Sequence, residues 1–124
     1  MSTNTDAVWA SLPVPAFVLS AADTITEVNP AAEQFMNSSV KSLLGAPVFD
    51  RLAIDAPLEG ALRRVRVDQS ALFINNVDVS GGNSAPVQCN IQIAPLGGSD
   101  DQVLLLMEPR ILAKSQRHRP ADKN

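Results

Sequence analysis

The dipeptide Asn29-Pro30 constrains what this chain can fold into more than any other pair in it. An Asn side chain accepts from the free N–H groups at a helix start, and proline at the first helical position gives up no hydrogen bond a helix would have made. A helix therefore begins there, immediately after Ile25, Thr26, Glu27 and Val28, which read as a short strand. It runs to about Met36, with Glu33 in its positive first turn and Phe35 and Met36 supplying apolar surface. Ser38 or Ser39 can cap a second short helix through Leu44, closed by Gly45 in the left-handed position. Pro47 and Pro57 then cut the chain into a short turn around Phe49 and Leu52 and a helix over about 57–64, in which Leu58, Leu62 and Val65 share a face.

Upstream, residues 1–6 are polar and read as a disordered leader. Val8 and Leu12, spaced four apart with Trp9 alongside, give residues 7–12 the apolar edge of a short helix that Pro13 and Pro15 end. Residues 16–20 form an apolar strand close enough to 25–28 to make a hairpin. After Asp68 the period changes. Residues 71–80 read as a strand, 81–84 as a turn and 86–95 as a second strand, where Val87, Cys89, Ile91 and Ile93 alternate with Gln88, Asn90 and Gln92. Following a turn at 97–100, residues 103–107 form an unbroken apolar run, expected to be a central strand covered on both sides. From about Pro109, Ile111 and Leu112 open a charged helical segment that fades into a polar tail.

A length of 124 residues leaves room for one domain, and 45% hydrophobic content in short clusters supports one core without a membrane span. The first six residues lack the basic start and apolar run of a secretory signal, so cytoplasmic residence is the default. One cysteine, Cys89, excludes an internal disulfide and a multi-cysteine metal site within the chain. A net charge of -3 opposes attraction to nucleic acid. Two basic groups, Arg63, Arg64 and Arg66, and Arg110, Lys114, Arg117 and Arg119, have no interleaved aromatics and read as solvated helix faces.

A hairpin, several short helices, three antiparallel strands and an exit helix: this order resembles the PAS fold over residues 7–112, flanked by the leader and by an exit helix and disordered tail at 113–124. The residues that carry the resemblance are the stretches SLPVPAFVLS (11–20) and ITEVNPAAEQFM (25–36), the Leu44-Gly45 that follows, and the closing strands. The step from Val28 through Asn29, Pro30, Ala31 and Ala32 to Glu33 is the most specific part. The resemblance implies an α+β domain: a five-stranded antiparallel sheet, order 2-1-5-4-3, with short helices on one face and flanking N- and C-terminal helices. Within that family, the LPVPAFVL segment is similar to the N-terminal sensor of nitrogen-regulation histidine kinases of the NtrB type. Such kinases continue into a phosphoacceptor helix with a His-Glu-Ile/Leu-Lys-Asn-Pro motif. His118, between Arg117 and Arg119, does not match it and inherits no such role.

What the resemblance implies is a regulatory module without catalytic residues of its own, pairing two kinase chains and acting on the kinase domains of the same protein, with transcription regulated through a response regulator. Val8, Trp9 and Leu12, with Ile111 and Leu112, are the expected homodimer surface. No haem is expected, since some PAS domains ligate it through a histidine beside the pocket and His118 stands in the tail. No flavin adduct is expected either: the light-sensing subgroup carries its cysteine in an Asn-Cys-Arg-Phe-Leu helix, whereas Cys89 lies on a strand and reads as a small buried hydrophobe. Asp100 and Asp101, and the Gly81-Gly82 and Gly97-Gly98 pairs, read as turns. The alternative function is a stand-alone receptor for a small apolar metabolite, in a cavity lined by Phe35, Phe49, Leu52, Leu62, Ile74 and Ile91, with Asn75, Asn76 and Asn90 as orienting amides. A filled core is the favoured reading of that region.

Overall fold

A computed structural model describes residues 2–81, 85–97 and 100–110. The chain runs α1 (Ser2–Ser11), β1 (Ala16–Leu19), β2 (Ile25–Val28), α2 (Pro30–Met36), α3 (Val40–Leu43), α4 (Val48–Arg51), β3 (Leu52–Ile54), α5 (Leu58–Asp68), β4 (Leu72–Gly81), β5 (Val87–Pro95) and β6 (Val103–Pro109). The first helix starts at Ser2, so residues expected to be a disordered leader form its opening turns. The physical reason is that a helix nucleated around Ala7 and Ala10 extends at the gain of one backbone hydrogen bond per residue fixed. Pro13 and Pro15 still mark its end, and β1 follows at Ala16.

The strands form one antiparallel sheet in the order β2-β1-β6-β5-β4-β3. Among the described residues it has six strands where five were expected. The addition is β3, three residues at the edge, pairing Leu52 with Gly81, Ala53 with Ser80 and Ile54 with Val79. Three residues are too few to show an alternation, and the segment between Pro47 and Pro57 therefore read as a turn. The rest of the expected order holds once β3 is inserted. Strand β6 lies between β1 and β5, in the sheet interior. Its two sides are covered unequally: Val103, Leu105 and Met107 are buried, while Leu104 and Leu106 on the opposite face are half-buried beside the buried Val18 and Ala16 of β1.

Strand β4 keeps its apolar residues on the core side only because of a bulge. Its register passes from Ile74 opposite Ile91 to Val77 opposite Cys89, so Asn75 and Asn76 together face Asn90. An extra residue reverses the phase of alternation. Leu72 and Ile74 before it, and Val77 and Val79 after it, thus all face the helices. The core they join is a single cluster of Phe17, Leu19, Ile25, Met36, Leu43, Leu62, Val65, Ile91, Ile93, Leu105 and Met107 among others, lying between the sheet and helices α2 to α5. At the far end of β4 the Met36 thioether lies so close to the backbone that a Cβ built on Gly81 would stand 2.6 Å from its sulfur.

Candidate functional site

The junction that opens the helical half is built around Asn29, a fully buried polar side chain. Its Oδ1 accepts from the N–H of Ala32 at 2.9 Å, which is the helix cap, and from the N–H of Ala16 at 3.0 Å, which starts β1. Its Nδ2 donates to the carbonyl of Val14 at 2.9 Å and, more weakly, to that of Leu12 at 3.5 Å. One amide thereby joins the segment after α1, the start of β1 and the start of α2. Beside it the Trp9 indole N–H donates to the Val28 carbonyl at 3.3 Å, fixing α1 to the end of β2.

At the opposite end of the sheet a guanidinium does comparable work. Arg66, on the last turn of α5, donates to the Ser20 carbonyl at 2.8 Å, to Asp23 Oδ1 at 2.7 Å and, through Nε, to the Asp101 carbonyl at 2.9 Å. Asp23 and Asp101 both hold left-handed φ angles, of 64° and 53°, in the turns before β2 and β6. Arg66 is therefore a clamp across two turns, whereas its sequence neighbours Arg63 and Arg64 are exposed, as a solvated face requires. Composition alone could not separate the three.

The expected cavity residues divide between three places. Leu52, Leu62 and Ile91 are buried in the core, and Phe35 and Ile74 pack against it half-buried. Phe49 is 43% exposed. In the single turn of α4 Val48 takes the inward position, and the next residue lies about 100° around the helix axis; Phe49 consequently stands at the rim of a cleft of about 310 Å³ shared with Leu52, Ile54, Ala56, Pro57, Leu58 and Glu59. Asn90 does not line the core. Cys89 and Ile91 point inward on β5, so Asn90 between them points to the outer face of the sheet, where with Val14, Gln92, Leu106 and Glu108 it borders a shallow cleft of about 190 Å³. Asn75 and Asn76 are exposed at the bulge. None of the three amides can orient a ligand in the core.

That outer face carries an apolar band, of which Ala16 and Val18 on β1 are buried within the chain while the part toward β4 is open. The register aligns Ala16, Leu106, Gln92 and Phe73 in one row across four strands and Val18, Leu104 and Ala94 in the next. Phe73 is 61% exposed in this row. Charge flanks these rows, with Glu27 opposite Val18, Glu108 opposite Asn90, Asp78 opposite Gln88 and Arg110 bonded to Asn76. Of the expected dimer residues, Val8 is 64% exposed, Trp9 and Leu12 are half-buried, and Ile111 and Leu112 lie outside the described residues, as do His118 and the tail. The run Val103 to Met107 is apolar at every position, so the sequence holds no alternation that separates Leu104 and Leu106 from the buried residues between them.

Cys89 has its thiol in the core, donating to the Val87 carbonyl at 3.5 Å. Burial pushes its pKa up from 9.0 to about 11, and the nearby negative charge of Asp78 adds to the rise. A thiol so held is neutral and inert at physiological pH. Among the described residues no group of three or more His, Cys, Asp or Glu side chains could hold a metal ion. No described helix is long and apolar enough to cross a membrane.

An antiparallel sheet in which the last of the described strands lies in the middle, with short helices inserted between its first hairpin and the remaining strands, is the PAS arrangement, and the PAS fold family matches residues 3–110: this chain belongs to the PAS family. Within the family it is similar to the sensory histidine kinase/phosphatase NtrB of Rhodobacter capsulatus, with 51% identity over 106 residues, which are 86% of this chain and 30% of that protein. NtrB of Azospirillum brasilense is 25% identical over 118 residues, again 30% of its length. The chain thus spans under a third of the curated relatives it matches. Among solved structures, the PAS domain of nitrogen regulation protein NR(II) from Vibrio parahaemolyticus superposes with a TM-score of 0.73 at 16% identity, covering 85% of this chain and 96% of that one. A LOV protein of Rhodobacter sphaeroides gives a TM-score of 0.74 at 14% identity, over 94% of this chain and 72% of that one. These last two show a shared fold.

Proposed function

We propose that this chain is the sensory and dimerisation module of a bacterial, cytoplasmic two-component histidine kinase of the nitrogen-regulation type. In this reading it has no catalytic residue and no haem, flavin or metal of its own; it biases the kinase domains of the same protein, and through a response regulator the transcription they control. The observation that carries the reading is the position of β6. One face of this strand packs Val103, Leu105 and Met107 into the core, the other carries Leu104 and Leu106 on the apolar band, and its end at Pro109 leads directly to Arg110, the last described residue. A change of packing under the helices therefore reaches both the surface available to a second chain and the exit of the domain through one element. The 51% identity to NtrB of Rhodobacter capsulatus supplies the kinase context.

The second reading, a receptor for a small apolar metabolite, is favoured by the cleft at Phe49, Leu52 and Leu58, which opens beside the core. Native mass spectrometry of protein purified from cells separates the two. The module reading expects twice the chain mass with nothing added; a stoichiometric bound metabolite on a single chain would replace it with the receptor.

A further inference from the structure

The bulge in β4 is bonded to the point where the chain leaves the sheet. Asn76 holds a left-handed φ of 59°, a conformation that side chains other than Asn and Asp seldom adopt. Its N–H donates to Asn90 Oδ1 at 3.0 Å, and its own Oδ1 accepts from Arg110 Nη1. Arg110 in turn donates its backbone N–H to the Gln88 carbonyl at 2.9 Å, one residue beyond the end of β6. The bulge, the middle of β5 and the first residue after β6 are thus one chain of hydrogen bonds on the outer face. The residues flanking the bulge, Ile74 and Val77, face the other way, against Ile91 and Cys89.

We propose that Asn76, Asn90 and Arg110 form a latch that sets the direction in which the chain leaves the domain, and that displacement of Ile74 or Val77 in the core opens it. A bulge suits this role. Its unpaired residue can rotate without breaking the ladder on either side, so a movement in the core is converted into loss or gain of one acceptor for a guanidinium. The inference rests on β6 being the output path of the module, but not on whether two chains pair.

The test is amide exchange by NMR on the 124-residue chain. Asn76→Gly keeps the left-handed backbone and removes the acceptor; Asn76→Asp keeps an acceptor and adds charge facing Arg110. Exchange of the Arg110 amide is expected to rise about tenfold in Asn76→Gly, the scale of one charge-assisted hydrogen bond, and to stay at or below the parent rate in Asn76→Asp. The Ile91 and Ile93 amides, deep in the ladder, serve as the folding control. Unchanged Arg110 exchange in Asn76→Gly, or faster exchange in Asn76→Asp, overturns the latch. Should a bulge variant lose the control protection, Arg110→Ala at its exposed position reads the same bond from the other side: the Asn76 side-chain amide signals must shift, and their failure to shift contradicts the proposal. Translational diffusion of the same samples reports pairing of chains, so failure of the latch and failure of the dimer are separate results.

Discussion

Asn29 concentrates more of the fold's specificity than any apolar residue, because its two polar atoms satisfy backbone groups from three segments. Asn29→Ala leaves the buried N–H of Ala16 and the carbonyl of Val14 without this partner, and the N–H of Ala32 with only its bond to the backbone carbonyl of residue 29. Unfolding in urea is expected to show a loss of about 3 kcal/mol, against about 1 kcal/mol for removing a helix cap alone. Half of this role was legible. The Asn-Pro step announces the cap, but the bonds to Val14 and Ala16 join residues 15 and 13 positions away, and only the folded chain brings them together. Arg66 is the same lesson in reverse, since its partners Asp23 and Asp101 lie 43 and 35 residues away. For Cys89 the raised pKa gives a sign. The folded thiol titrates near 11 and the unfolded one near 9.0, so its stabilising contribution is complete below pH 9 and is lost as pH rises through 11. The urea midpoint is expected to fall between pH 8 and pH 10.5, by no more than about 2 kcal/mol in stability, and Cys89→Ala should abolish that part of the slope. Equal slopes in the two proteins would assign the fall to other groups.

At the scale of elements, the long strands were legible and the short or irregular pieces were not. The alternation of Val87, Cys89, Ile91 and Ile93 is enough to place β5 with its faces assigned. In β4 the apolar positions 72, 74, 77 and 79 contain the phase break of the bulge, yet the adjacent Asn75 and Asn76 also read as ordinary strand amides, and nothing local to them shows that they face outward with Asn90. Strand β3 has too few residues for any period. Where β3 meets β4 the packing leaves one sharp expectation. Gly81→Ala brings its Cβ against the Met36 sulfur, and the thioether must swing away from Leu52 and the strand. A loss of about 1–2 kcal/mol is expected in thermal or urea unfolding, the usual cost of overpacking by one methyl group. Met36→Ala in the same background should give back part of it relative to Met36→Ala alone; additive losses would mean that the two residues do not meet.

For the molecule as a whole, the placement of β6 between β1 and β5 gives the two sheet faces different work. The inner face closes one core with helices α2 to α5. The outer face keeps Leu104, Leu106 and Phe73 within reach of water, in a band whose central row has no charge. An apolar surface left open on a small domain, as at Phe73, is suited to contact a partner. The proposed module requires the outer face to join two copies of the chain, and sedimentation across a micromolar concentration range on the parent protein, Leu106→Glu and Trp9→Glu decides whether it does. The expected result is a parent dimer, a monomer in Leu106→Glu with unchanged circular dichroism, and a weakened dimer in Trp9→Glu. A parent that sediments as a monomer at high micromolar concentration, or a dimer that ignores Leu106→Glu, would contradict it.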